Sequence, residues 1–233
     1  MKAVYYVPWM MCRAVFSTYF RWKVFEAGRV PRTGPAILAA NHASLLDPPL
    51  VGAALKRDIC YLARESLFRN PVFGALLRSW NVVPVDRDGG GAAGLRAIMD
   101  RLNEGNAVIL FPEGTRTMDG ALQPARSGIG LLAIRSSAPL VPIHVFGTFE
   151  AYGKQMRVPR PRPVVIKFGR PMDLDHWRAE AKSCSKARLK EIYKTTAEEI
   201  MASIARLEPC ADMVTFPAKG LNRRWPADLP RKR

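Results

Sequence analysis

Short apolar runs alternate along this chain with longer stretches in which apolar residues recur every three or four positions. The runs PAILAA (35–40), DICYLA (58–63), NVVPV (81–85), AVILF (107–111), PLVPIHVF (139–146) and PVVIKF (163–168) read as strands, the continuous ones buried. Between them, PPLVGAAL (48–55) reads as a helix, with Asp47 as its N-cap and proline tolerated in its first turn. SLFRNPVFGALLRSW (66–80) has helical spacing that Pro71 breaks or restarts. GLRAIMDRLNEG (94–105) is an amphipathic helix ending at a glycine, and SGIGLLAIRSS (127–137) a further helix. In residues 186–207, Leu189, Ile192, Tyr193, Ile200, Met201, Ile204 and Leu207 fall at helical spacing. Strands alternating with helices predict an α/β fold: a single domain with a mixed, largely parallel sheet flanked by helices on both faces.

The two ends depart from this pattern. Residues 3–20 are rich in aromatics, hold one charge, Arg13, and are interrupted by Pro8. Basic Lys2, Arg13, Arg21 and Lys23 come before any acidic residue. A helix lying in a membrane interface has this composition, with an apolar face, aromatic side chains and basic flanks. A helix docked on the protein's own core and a marginal spanning helix are the other two readings. The tail from 216 to 233 is basic and rich in proline, which predicts an extended segment suited to anionic lipid. The expected division is a membrane-associating helical segment at 1–29, an α/β domain at 30–207 and a basic, proline-containing tail at 208–233.

Composition adds one strong fact. Of 233 residues, 48% are hydrophobic and 24% charged, which is ordinary, but the formal net charge is +16. Such a chain is drawn to anionic surfaces: phospholipid, nucleic acid or phosphorylated substrates. Cys12, Cys60, Cys184 and Cys210 are scattered without a CxxC, as expected of free thiols in a reducing compartment. His42, His144 and His176 lie far apart with no HExxH, so no metal site is expected.

In such sheets, functional residues gather in loops beyond the carboxyl ends of the strands. NHASLLD follows the strand at 35–40, Asp86-Arg87 follows 81–85, and PEGTRT follows 107–111. A histidine serves as a general base when a carboxylate fixes its tautomer and steadies the imidazolium that forms, and Asp47 lies within reach of His42 across one loop. A hydrogen-bonded loop histidine beside a capping aspartate fits the same residues. In FPEGTRT, Gly114 lets the backbone approach a ligand, and Arg116 suits a phosphate. A surface turn with an internal Glu113–Arg116 ion pair is the alternative. Arg87 and Arg126 are weaker anion-site candidates. A serine nucleophile elbow, a P-loop and a dinucleotide fingerprint are all missing.

NHASLLD, VPVDR, FPEGTRT and PLVPIHV stand in the order and approximate spacing of the four motifs of the glycerolipid acyltransferases. The chain resembles, in particular, the 1-acyl-glycerol-3-phosphate (lysophosphatidate) acyltransferases, over about residues 30–150. The resemblance implies that His42 takes the proton from an acceptor hydroxyl, that Asp47 orients it, and that the hydroxyl attacks an acyl thioester with no acyl-enzyme. It further implies that Arg87 and Arg116 hold the acceptor's phosphate with Arg126 nearby, that Glu113 and Gly114 bind the glycerol part, and that Pro142 and its neighbours line the acyl-donor side. Two positions depart from the family pattern. Trp80-Asn81 stand where a glycine is common, and Arg126-Ser127 where lysines before a glycine are common.

The implied enzyme needs no cofactor, with an acyl-CoA or acyl-carrier-protein thioester as co-substrate. It would work at the cytoplasmic face of a membrane, as a peripheral or monotopic protein. A different lysolipid acceptor keeps the chemistry. From another class, a basic non-catalytic protein binding membrane or nucleic acid would account for the charge. Against the nucleic-acid version, the basic residues are dispersed and no recognition motif stands out.

Overall fold

The structure, a computed structural model of the chain, describes residues 3–85 and 92–208. Its frame is one seven-stranded sheet: β1 (Lys23–Phe25), β2 (Ala36–Ala40), β3 (Ile59–Arg64), β4 (Val82–Val85), β5 (Ala107–Leu110), β6 (Leu140–Phe146) and β7 (Val165–Phe168), in the order β1-β7-β6-β2-β5-β3-β4. Strands β6, β2, β5, β3 and β4 run parallel, β7 pairs antiparallel with β6, and β1 lies parallel to β7 at the edge. The sheet is therefore mixed and largely parallel.

The helices are α1 (Ala3–Thr18), α2 (Asp47–Ala54), α3 (Pro71–Ser79), α4 (Ala92–Asn103), α5 (Ser127–Arg135), α6 (Thr148–Tyr152), α7 (Asp175–Glu180) and α8 (Lys186–Ala205). All of β2 and β5 is buried, as strands covered on both faces must be. Because side chains alternate across a strand, each strand feeds two cores. Ala36, Leu38 and Ala40 join Ile109, Ile143, Phe16, Leu50 and Val51 under α1 and α2. Ile37 and Ala39 join Val108, Leu132, Ile98, Ile200 and Ile204 under α4, α5 and α8. Ile37, Leu38 and Ile109 are among the largest fully buried side chains, and each such side chain contributes about 1.5–3 kcal/mol. Helix α8 presses on α5 at Gly130, where an added Cβ would collide with the Tyr193 carbonyl.

Pro71 restarts the chain after a 3-10 turn at Glu65–Phe68, and Asn70 caps α3 by accepting the Phe73 N–H at 3.0 Å. Asp47, expected as the N-cap of α2, is instead its first residue and makes no capping bond. Its carboxylate turns back onto the preceding loop. The run at 107–111 yields a strand only to Leu110, and Phe111 leaves the sheet.

Helix α1 docks one face on the domain. The Tyr5 and Tyr61 hydroxyls lie 2.8 Å apart, the Trp9 indole donates to the Leu55 carbonyl at 2.8 Å, and Arg13 donates to the Ala53 carbonyl at 2.9 Å. Its other face leaves Tyr6, Val7, Met10, Met11 and Val15 exposed. Among the described residues, no helix is long and apolar enough to cross a membrane. Cys12 and Cys184 are free thiols and Cys60 is buried; Cys210 and the basic tail from 209 lie outside the described residues.

Candidate active site

Parallel β2, β5 and β3 deliver their carboxyl ends to one edge, and the loops after β2 and β5 meet there. Asn41, just beyond β2, is buried and prolongs the β2–β6 ladder with its side chain. Its Nδ2 donates to the Val145 carbonyl at 3.0 Å and its Oδ1 accepts the Val145 N–H at 2.7 Å. The next residue, His42, is thereby fixed to the sheet through its own backbone neighbour.

The His42 backbone is held from two further directions. Its N–H donates to Glu113 Oε1 at 2.8 Å, and its carbonyl accepts the Thr117 N–H at 2.9 Å. Its ring is held as well. Nδ1 lies 2.9 Å from Asp47 Oδ2, and the imidazole stacks on Phe111 with centroids 3.9 Å apart and planes 20° from parallel. The same Asp47 oxygen accepts the N–H groups of Ala43 and Ser44, each at 2.7 Å. A carboxylate oxygen in that position offers only lone pairs, so Nδ1 supplies the hydrogen. That tautomer leaves the Nε2 lone pair free. The His42 side chain keeps 16% of its surface exposed while that of Asp47 keeps none.

Asp47 Oδ1 is buried without a hydrogen-bond partner. The Ser44 hydroxyl donates to the Tyr152 carbonyl at 2.6 Å and accepts the Leu46 N–H at 3.1 Å, pinning the loop to α6.

Glu113 is buried and joins two loops, accepting the Gln123 N–H on Oε2 at 3.1 Å as well as the His42 N–H on Oε1. Burial pushes its carboxyl up to about 7, against the two backbone N–H groups that favour its charge; the nearby Asp47 charge pushes the same way as burial. The Glu113–Arg116 ion pair that the sequence allowed does not form. Glu113 spends its oxygens on backbone, and Arg116 is half-buried nearby.

Gly114 adopts φ +70°, in the turn closed by its N–H to the Phe111 carbonyl at 3.0 Å. The Arg126 side chain lies over it so closely that a Cβ at Gly114 would stand 2.6 Å from Arg126 Nε. The Arg126 N–H donates to the Pro112 carbonyl at 2.9 Å, which fixes the start of α5 against the same turn.

The edge thus gathers His42, Asp47, Glu113, Gly114, Arg116 and Arg126. Arg87 and its neighbour Asp86 lie outside the described residues. Pro142 is not at this edge. It is buried within β6, paired in register with Ala39, and its carbonyl accepts the Gly169 N–H at 2.7 Å. The other histidines are elsewhere. Burial pushes His144 down to about 4, and its Nδ1 lies 3.2 Å from the Leu207 carbonyl; His176 packs beside Trp177.

Sequence reasoning passed over Asn41, Ser44, Phe111, Thr117 and Gln123. Asn41 and Ser44 were visible as polar residues at a strand end. Phe111 was hidden, because it merely completes an apolar run.

A family model described as Acyltransferase matches residues 21–145. A 1-acyl-sn-glycerol-3-phosphate acyltransferase of Cocos nucifera is 32% identical over 148 residues, 62% of this chain and 48% of the relative. That of Bacillus subtilis (strain 168) is 32% identical over 121 residues, 52% of this chain and 60% of the relative. The chain spans about half the length of the curated relatives it matches. The crystal structure of the 1-acyl-sn-glycerophosphate (LPA) acyltransferase PlsC from Thermotoga maritima shares the fold, with a TM-score of 0.67 at 23% identity, over 88% of this chain and 81% of that one. The matched span runs from β1 to the Asn41–Val145 clamp and encloses His42, Asp47 and Glu113, and on it the chain belongs to the acyltransferase family.

Proposed function

We propose that this chain is an O-acyltransferase that moves a fatty acyl group from a thioester to the free hydroxyl of a lysophospholipid, converting 1-acyl-glycerol-3-phosphate to phosphatidate. The observation that carries the reading is the His42 ring, held by Asp47 at 2.9 Å with its other nitrogen unoccupied at the open sheet edge. The acceptor hydroxyl gives its proton to Nε2 as its oxygen attacks the thioester carbonyl. The tetrahedral species then expels the thiolate, which takes that proton back from the imidazolium. One C–O bond forms and one C–S bond breaks, with no acyl-enzyme and no cofactor. General-base assistance of this kind is worth roughly 10²–10⁴-fold.

The arginines supply position. Arg116 and Arg126 flank the turn at Gly114 and are assigned to the acceptor's phosphate; Arg87 joins them on the strength of the sequence motif alone. Fixing that group converts an encounter in the bilayer into a reaction between held partners. Buried Glu113 acts through the backbone in this reading, because both its oxygens serve the loops that carry His42 and Gln123. The acyl donor is an acyl-CoA or acyl-carrier-protein thioester.

The proposed setting is the cytoplasmic face of an anionic membrane, with the protein peripheral or monotopic. Helix α1 supports it by exposing Val7, Met10, Met11 and Val15 on the face turned away from the core. Leu45 and Met118, in the two loops of the site, are exposed as well. The proposed organisation keeps a membrane-associating helix within 1–29, a segment whose β1 nevertheless belongs to the sheet, then the catalytic domain at 30–207 and the basic tail beyond.

A second reading changes only the acceptor. Arg126-Ser127 and Trp80-Asn81 depart from the family pattern where the phosphate would sit, which favours testing other lysolipids. The experiment offers purified protein on vesicles a labelled acyl thioester with lysophosphatidate and, separately, a panel of other lysolipids. Transfer by the native protein and none by folded His42→Ala supports the reading and names the acceptor. Full activity in His42→Ala defeats the mechanism. No transfer to any acceptor by folded native protein moves the weight to a non-catalytic binder.

A further inference from the structure

The His42 imidazole has a partner in its plane, Asp47, and another across its face, Phe111. Leu110 is the last residue of β5, and the chain turns so that the Phe111 ring lies over His42, centroids 3.9 Å apart and planes 20° from parallel. Phe111 also packs against the core under α1 and α2, so the ring cannot drift from His42 without disturbing that packing. A hydrogen bond at Nδ1 leaves an imidazole free to rock about the bond axis. A stacked ring removes that freedom and aims Nε2.

The stack has a second physical consequence. When His42 accepts the hydroxyl proton, positive charge spreads over the imidazole. The face of an aromatic ring is negative and attracts a cation held within about 6 Å. The charge is absent before the proton moves, so the attraction grows along the reaction, and only contacts that strengthen toward the transition state speed the chemical step.

We propose that Phe111 is a positioning residue that fixes the plane of His42 and stabilises the imidazolium as it forms. This rests on the reading of His42 as the base. The proton's route is unchanged: hydroxyl to Nε2, then Nε2 to the departing thiolate. Phe111 touches neither substrate in this account and acts through His42 alone.

Shape and charge are separable. Replacing Phe111 with mono-, tri- and pentafluorophenylalanine keeps the ring's outline while draining negative charge from its face. Activity is measured on vesicles with saturating acyl thioester and lysophosphatidate, alongside Phe111→Leu and His42→Ala. The expected result is a stepwise fall in kcat across the fluorinated series, reaching about tenfold, with KM for both substrates and the thermal midpoint unchanged. Phe111→Leu, which loses ring and plane together, falls further. A kcat that stays level across the fluorinated series overturns the inference, and the ring is then packing only. If His42→Ala keeps its activity, the base reading itself fails and the inference falls with it. A dead His42→Ala beside a level series removes the inference alone.

Discussion

The side-chain amide of Asn41 takes the place of one more ladder step between β2 and β6, gripping the N–H and the carbonyl of Val145 together. Asn41→Ala leaves both of those groups buried and unpaired. A buried group that loses its partner costs about 1–3 kcal/mol, so the substitution, which orphans two, should destabilise the fold by about 2–6 kcal/mol. Denaturant midpoints measure it. Because His42 follows directly in the chain, kcat should fall more than the loss of folded protein explains.

Asp47 concentrates three donors on one oxygen: the His42 Nδ1–H and the N–H groups of Ala43 and Ser44. Asp47→Asn keeps the shape but presents a neutral group that no longer enforces the tautomer with Nε2 free. We expect kcat to drop by at least about 100-fold with KM for both substrates little changed. A steady-state comparison under saturating donor settles it, and a loss confined to KM would contradict the assigned role.

Glu113 carries a pH signature in stability. Its carboxyl is held up to about 7 chiefly by burial, whereas in the unfolded chain it titrates near the ordinary 4.5. Between those values the folded protein holds a proton that the unfolded chain has released. Stability therefore falls as pH rises through that window and is level beyond it, with a total change of about 3 kcal/mol. Glu113→Gln removes this group's titration. The denaturant midpoint of the native protein should decline relative to Glu113→Gln between pH 5 and 7.5, and parallel curves would refute the assignment.

Much of this architecture was legible in the sequence, and the reasons for the gaps are physical. The six apolar runs all became strands; β2 and β5, covered on both faces, need every side chain apolar, while half-exposed β4 was legible from its β-branched run. β1 was not read: Lys23–Phe25 is three residues long, too short to show any period. α6 and α7 escaped for the same reason, with five and six residues. Asp47 read two ways in the sequence, as a cap before Pro48 and as the partner of His42, and the folded loop turns its carboxylate toward His42 without a capping bond. Phe111 looked like strand because apolarity alone does not say which way a ring points. The aromatics of α1 face both ways, so composition could not separate the docked face from the exposed one.

Gly114 combines a left-handed backbone with an arginine packed where a Cβ would be. Gly114→Ala pays for both, in strain of roughly 1–2 kcal/mol and in displacement of the Arg126 side chain. We expect a modest loss of stability and a larger rise in KM for the phosphate-bearing acceptor, with KM for the thioester unaffected. Arg126→Ala should reproduce the KM effect without the loss of stability. Comparing the two variants separates turn strain from loss of the cation.

Helix α1 turns two different surfaces in two directions, and the surfaces should fail differently. Phe16, on the core-facing side of α1, is 3% exposed, so Phe16→Ala should cost about 3–5 kcal/mol of stability. Val7, Met10, Met11 and Val15 form the opposite stripe, at 49–65% exposure. Replacing all four with serine removes little packed surface and should leave the thermal midpoint nearly unchanged. If that stripe lies in the membrane interface, the same variant should bind anionic vesicles at least about tenfold more weakly, because each large apolar side chain withdrawn from the bilayer forfeits about 1–2 kcal/mol. Its residual binding should then be more sensitive to salt than that of the native protein, since basic residues alone would hold it. Sedimentation with vesicles at two ionic strengths measures both quantities. Unaltered binding by the serine variant would mean that α1 serves the core only, and that the protein reaches its lipid by another surface.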